Sequence, residues 1–171
     1  MTMSRVVVMG VSGCGKTNVG QALASQLSAT FIEGDRLHPA ANVAKMSAGT
    51  PLTDDDRWPW LDAVGAELLA HSTAIASCSA LKRKYRDRLR LAAGPALRFV
   101  FLSVDRPELE RRMSARRDHF MPASLLDSQL TTLEVPSDEL DILTLDGSMA
   151  VGSIADRAAA WLAEQLTESL Q

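Results

Sequence analysis

The sequence has only two cysteines in 171 residues, Cys14 and Cys78. That is too few for a disulfide scaffold or a four-cysteine zinc site, so both thiols are expected to be reduced. No apolar run approaches the ~20 residues that a membrane span needs. The N-terminal run Val6-Val7-Val8-Met9-Gly10-Val11 is too short for a secretory leader, and Lys16 soon follows it. A cytoplasmic setting with no membrane partner is the expectation. Repeats, long linkers and low-complexity tracts are absent. Net charge is small, −3 from 18 basic and 21 acidic residues, so no broad basic field invites nucleic acid. What remains is an ordinary globular composition, 46% hydrophobic and 23% charged. A chain of this length is expected to form one domain spanning residues 1–171 and to bury about two-thirds of its unfolded surface.

The small net charge hides an uneven layout. Six basic residues crowd into Lys82–Arg90 and five into Arg106–Arg117, whereas the chain after Arg117 is acidic apart from Arg157. Most of these cations are arginine, whose planar guanidinium suits phosphate and carboxylate. Hydrophobic spacing predicts strands at Arg5–Met9, Thr30–Glu33, Thr73–Ser77, Leu97–Leu102 and Asp141–Leu145. Helical spacing predicts Lys16–Leu27, Pro39–Ser47, Trp58–Ala70, Lys82–Ala92, a helix from Asp105 to about Arg116, and a C-terminal helix from Val151. Asp105 with Glu108 three residues later reads as a capped start. Strands alternating with helices imply a three-layer α/β fold on a parallel five-stranded sheet. The stretch 116–136 has charges, two prolines and no strand signal. It reads as a mobile lid with a short helix at Pro122–Leu130.

Gly10-Val11-Ser12-Gly13-Cys14-Gly15-Lys16-Thr17 matches G-x-x-x-x-G-K-[ST] between a predicted strand and helix, the context in which this motif binds nucleotide. Its glycines let backbone N–H groups curl round phosphate, and the helix starting near Lys16 turns its positive end to the same anion. Lys16 reaches the β- and γ-phosphates, and the Thr17 hydroxyl is a ligand for Mg2+. ATP and Mg2+ are the expected cofactors. Cys14 reads as a small inert filler of the loop, or as a thiol activated by the helix N-terminus.

A phosphate loop names the donor and leaves the acceptor open. Asp35 follows the second strand, at the end of the sheet where such folds bind ligands. It reads as a catalytic base on an acceptor hydroxyl or as an outer ligand of Mg2+-bound water. The segments Gly34-Asp35-Arg36-Leu37-His38-Pro39-Ala40-Ala41-Asn42 through Lys45 and Gly49-Thr50-Pro51-Leu52-Thr53-Asp54-Asp55-Asp56-Arg57 are the first of four distinctive blocks. Cys78-Ser79-Ala80-Leu81-Lys82-Arg83-Lys84-Tyr85-Arg86-Asp87 and Arg116-Arg117-Asp118-His119-Phe120-Met121-Pro122, continuing to Gln129 and Glu134, complete the set. In order and spacing these blocks resemble the small bacterial-type gluconate kinases.

The resemblance implies a nucleoside-monophosphate-kinase-like P-loop fold with a lid, transfer of the ATP γ-phosphoryl group to the 6-hydroxyl of D-gluconate, and a homodimer. It implies substrate contacts from Asp35, His38, Lys45, Arg57, Ser79, Lys82, Arg83, Tyr85, Arg86, His119 and Gln129. Arg57 and Arg86 stand as alternatives for the carboxylate. In such kinases one lid arginine neutralises the transferring phosphoryl group and another packs near adenine; Arg116 and Arg112 are the choices here, although Arg112 also has Glu108 at ion-pair spacing. Two competing readings are a kinase of another hydroxy acid such as shikimate, and a nucleotide-dependent module using Lys82–Arg90 on nucleic acid.

Overall fold

Val6, Val7, Val8 and Met9 are all fully buried, as a strand covered on both faces requires. Each such side chain contributes on the order of 1.5–3 kcal/mol. The computed structural model describes residues 3–115 and 123–171. In chain order the elements are β1 (Ser4–Met9), α1 (Lys16–Leu27), β2 (Thr30–Glu33), a single 3-10 turn (Gly34–Leu37), α2 (Ala40–Ser47), α3 (Asp54–Leu69) and β3 (Thr73–Ser77). Then follow α4 (Arg83–Ala93), β4 (Leu97–Ser103), α5 (Arg106–Ala115), α6 (Ala123–Thr132), β5 (Ile142–Asp146) and α7 (Val151–Ser169).

The five strands pair in parallel in the order β2-β3-β1-β4-β5. Alternate β1 side chains separate the two cores. Val6 and Val8 pack with Val19 and Leu23 of α1 and with Ile154, Ala158 and Leu162 of α7. Val7 and Met9 pack on the other face with Trp60, Leu61, Val64 and Leu68 of α3 and Tyr85 and Leu89 of α4. Since β1 lies between β3 and β4, the chain leaves it first to one side and later to the other. A crevice therefore opens beyond the carboxyl end of β1, the usual ligand position in such sheets. Among the described residues no helix is long and apolar enough to cross a membrane.

One expected helix start shifts and one expected capping box is only half formed. α3 begins at Asp54 rather than Trp58, because Thr53 and Asp56 close a capping box: Asp56 N–H donates to Thr53 Oγ1 (3.1 Å) and Thr53 N–H to Asp56 Oδ2 (2.8 Å). Pro59 consequently lies inside the helix, where it lacks the N–H for one main-chain bond. At α5 the expected box is half formed. Asp105 Oδ1 accepts from Glu108 N–H at 3.1 Å, but the Glu108 carboxylate turns to Arg111 and Arg112.

Candidate active site

The loop from Gly10 to Gly15 joins β1 to α1, and its three glycines hold backbone that other residues rarely adopt, Gly10 at φ +143°, Gly13 at φ +86° and Gly15 at φ +100°. No side chain caps α1 and none in its first turn is acidic, so its first N–H groups are left for an anion. Lys16 Nζ is held over the loop by the carbonyls of Gly10 (2.9 Å) and Val11 (3.0 Å). The Cys14 side chain is fully buried.

Two strands and the first turn of α1 meet at Glu33. Its Oε2 accepts from Thr17 Oγ1 at 2.8 Å and its Oε1 from Ser77 Oγ at 2.6 Å. In the sequence Glu33 is marked only as the last residue of a strand; the signal it offers is an acid at the carboxyl end of β2, two positions before Asp35. Next to it, Gly34 N–H donates to Ser77 Oγ at 3.3 Å, and a Cβ at Gly34 would lie 2.0 Å from the Ser77 carbonyl oxygen. Only glycine permits that approach, and it sets Asp35 at the mouth of the crevice.

A cavity of about 730 Å³ fills the crevice. Ser12 and Lys16 reach it from the phosphate loop, Asp35 and His38 from beyond β2, Arg57 and Trp60 from α3, Ser79 from the loop after β3, and Gln129 from α6. Val43, Met46 and Leu52 supply apolar wall. Lys16 and Arg57 are the Lys and Arg side chains on this wall among the described residues. Arg57 is positioned by two acceptors, Leu52 O (2.7 Å) and Tyr85 Oη (3.0 Å). The Tyr85 hydroxyl donates in turn to Asp54 Oδ1. The Lys84 ammonium and the Tyr85 hydroxyl hold the Asp54 carboxyl at about 2. Gln129 bridges to the phosphate loop: Ser12 N–H donates to its Oε1 (2.7 Å), and its Nε2 donates to Ser12 Oγ (3.2 Å).

Five expected substrate residues stand elsewhere. Arg86 is the clearest correction. Its side chain is 1% exposed, forms a two-point pair with Glu139 (3.0 and 2.8 Å) and donates to the carbonyls of Ala80, Leu81 and Glu134. Every guanidinium nitrogen is committed, so it is unavailable to a carboxylate. Lys45 is paired with Asp56 at 2.6 Å. Lys82 lies 3.8 Å from Asp54 and over the Tyr85 ring. Arg83 is exposed on α4, with its backbone N–H on Glu134. Tyr85 stands behind Arg57 and supports it. Arg90 pairs with Glu139 and Asp141. Arg112 makes the Glu108 pair (3.0 Å) and also bridges the Gly13 and Gly147 carbonyls, joining the phosphate loop to the turn after β5. Arg116 and His119, with the first part of the expected lid, lie outside the described residues.

Among the described residues no three His, Cys, Asp or Glu side chains converge as a metal cage. The Thr17 hydroxyl with Glu33 beside it is instead a hard-oxygen pair of the kind that holds Mg2+ together with substrate phosphates.

A family model described as an AAA domain matches residues 6–136. The chain is 51% identical over 146 residues to the gluconokinase of Gluconobacter oxydans (strain 621H), covering 83% of this chain and 82% of the relative. It is 44% identical over 156 residues to the thermosensitive gluconokinase of Escherichia coli (strain K12), covering 88% and 83%. The crystal structure of a gluconokinase from Sinorhizobium meliloti 1021 is similar at a TM-score of 0.91 and 48% identity, over 99% of this chain and 97% of that one.

Proposed function

The chain belongs to the gluconokinase family of P-loop kinases, and from that premise we propose that it transfers the γ-phosphoryl group of ATP to the 6-hydroxyl of D-gluconate. The 6-phosphogluconate formed feeds sugar-acid breakdown. The observation that carries the reading is one cavity holding the phosphate-loop Lys16, the carboxylate of Asp35 and the cation of Arg57. A donor phosphate, an acceptor hydroxyl and an acceptor carboxylate each have a partner there. The nucleic-acid reading loses support because much of the Lys82–Arg90 charge is spent on Asp54, Asp62, Glu139 and Asp141, and the shikimate reading is not favoured because the similar curated proteins at 44–51% identity are gluconokinases.

In this mechanism the loop N–H groups of residues 10–17 and the α1 N-terminus hold the phosphates, and Lys16 bonds the β- and γ-oxygens. Thr17 and Glu33 hold Mg2+, which when bound offsets phosphate charge. Asp35 takes the proton of the attacking hydroxyl. Arg57 binds the carboxylate, and His38, Ser79 and Gln129 bond the remaining hydroxyls, so an analogue lacking a hydroxyl leaves a polar group unpaired and is rejected. Family resemblance supports Arg116 as the cation on the transferring phosphoryl group, His119 as a substrate contact and 116–136 as a lid, a device that in such kinases excludes water and limits hydrolysis of ATP. Arg112 borders the nucleotide. Dependence on ATP supports a cytoplasmic setting, and family resemblance supports a homodimer, which sedimentation analysis checks.

The test is Mg2+-dependent ATP consumption against gluconate, shikimate, glycerate, other sugar acids and nucleoside monophosphates. Turnover with gluconate alone is expected. Turnover with another acceptor instead overturns the roles of Arg57 and His38, and no turnover despite ATP binding overturns the kinase assignment.

A further inference from the structure

His38 lies on the cavity wall, and its ring stacks on Trp60 with centroids 4.0 Å apart and planes 16° from parallel. Behind it stands Asn42, a buried polar side chain on α2 with 3% exposure. The Asn42 amide nitrogen is 2.9 Å from the Asp56 carbonyl oxygen and 3.2 Å from His38 Nδ1. A backbone carbonyl can only accept, so the NH2 end of the amide must face Asp56; the flipped amide would set oxygen against oxygen. The second hydrogen of the same NH2 then points at His38 Nδ1, which must receive it with a lone pair. A neutral imidazole that accepts at Nδ1 carries its proton on Nε2.

We infer that Asn42 is a positioning residue that locks His38 as the neutral Nε2–H tautomer and thereby presents a hydrogen-bond donor, not a base, to the acceptor cavity. Two further observations agree. Among the described residues Arg98 Nε is the one buried side-chain polar atom without a partner, so His38 Nε2, which no described protein group engages, is not sealed from solvent, and its ring lines the cavity. Burial pushes the imidazole pKa below its usual value; the Asp35 carboxylate opposes this and the Arg57 guanidinium adds to it, leaving a ring that favours neutrality. Asp56 itself is anchored by Lys45 and by Thr53 N–H, which steadies the carbonyl that orients Asn42. The consequence is a division of labour. Asp35 is left as the base, and His38 Nε2–H donates to an oxygen of the bound acceptor. This use of the donor rests on the gluconate reading above, whereas the tautomer does not.

The test is the long-range 1H–15N spectrum of the histidine rings in the full-length protein at pH 7.5 without substrate. The chain has three histidines, and the His38→Gln protein identifies the pattern of His38 by its loss. The expected wild-type result is a protonated, pyrrole-type Nε2 with a pyridine-type Nδ1. An Nδ1–H ring, an imidazolium or an averaged mixture overturns the inference. In Asn42→Asp the acceptor-only carboxylate draws a proton to Nδ1, so the His38 pattern reverses or becomes doubly protonated. Gluconate KM then rises about 10-fold with a smaller change in kcat, because a binding donor rather than a transition-state group has been altered. An unchanged His38 pattern in Asn42→Asp also overturns the inference, while a purely structural Asn42 would raise KM without moving the ring nitrogens. If the wild-type protein turns over no gluconate, the function above fails and the spectrum alone decides the tautomer.

Discussion

Replacing Arg86 with methionine tests whether its guanidinium serves the fold or a ligand. The side chain is 1% exposed and its partner Glu139 is 3% exposed. Removing the charge strips both bonds to Glu139 and leaves the Ala80, Leu81 and Glu134 carbonyls without that donor. Breaking a buried pair costs about 3–5 kcal/mol. Arg90, which stays 2.9 Å from Glu139, lowers the cost, and the stripped carbonyls raise it. A loss of about 4 kcal/mol is expected, which lowers Tm by about 8–16 °C in a domain of this size. The loss also has a signed pH dependence. Burial tends to raise the Glu139 carboxyl, but Arg86 and Arg90 outweigh it and hold the group below its ordinary 4.5. A depressed folded value means stabilisation that is present above 4.5 and disappears as pH falls through the folded value. In Arg86→Met the less compensated carboxylate is costly when charged, so the deficit against wild type is largest near neutrality and narrows in acid. Urea and thermal unfolding followed by circular dichroism, with gluconate KM measured well below Tm, read both effects. A stability loss under about 1 kcal/mol would refute the reasoning. So would a large rise in gluconate KM with an unchanged Tm, which would return Arg86 to the substrate.

Lys16→Ala and Asp35→Asn should each lower turnover by orders of magnitude, about 10²–10⁴-fold for loss of the base, with unchanged circular dichroism; near-normal turnover in Asp35→Asn removes it from that role. Arg57→Leu should raise gluconate KM by about 10–150-fold, the worth of one charged hydrogen bond, and an unchanged KM means that the carboxylate is held elsewhere. Glu33→Gln should raise the Mg2+ concentration needed for half-maximal activity, and chelation of Mg2+ should stop turnover reversibly; an unaltered Mg2+ requirement separates Glu33 from the metal. Neither thiol should react with an aromatic disulfide reagent in the native protein, because both are buried and burial pushes the Cys78 thiol up to about 12. Both should react after denaturation, and rapid labelling of the native chain contradicts the packing.

Much of this protein was legible in its residues because the relevant chemistry is local. Short apolar, β-branched runs marked every strand and 3.6-residue spacing with cap signals marked the helices, and eight consecutive residues carry the whole phosphate loop with its strand before and helix after. Four ordered blocks identified the family before any geometry was available. Helix starts were harder to place, as at α3, where the apolar spacing begins at Trp58 but the Thr53–Asp56 box starts the helix at Asp54.

The tertiary structure decided which charges face the site. Lys82, Arg83, Lys84, Arg86, Arg88 and Arg90 stand within nine positions of one another, and their residue types alone do not rank them. Their fates depend on carboxylates far along the chain: Glu139, 53 residues from Arg86, and Asp54, 30 residues before Lys84. Glu33 likewise became a site residue only when β1, β2 and β3 came side by side and brought Thr17 and Ser77 to its two oxygens. A backbone loop that binds phosphate is specified by its own glycines, and neighbouring residues suffice to predict it. A charged side chain is bound, paired or exposed according to what packs against it, and that is set by contacts between segments distant in sequence.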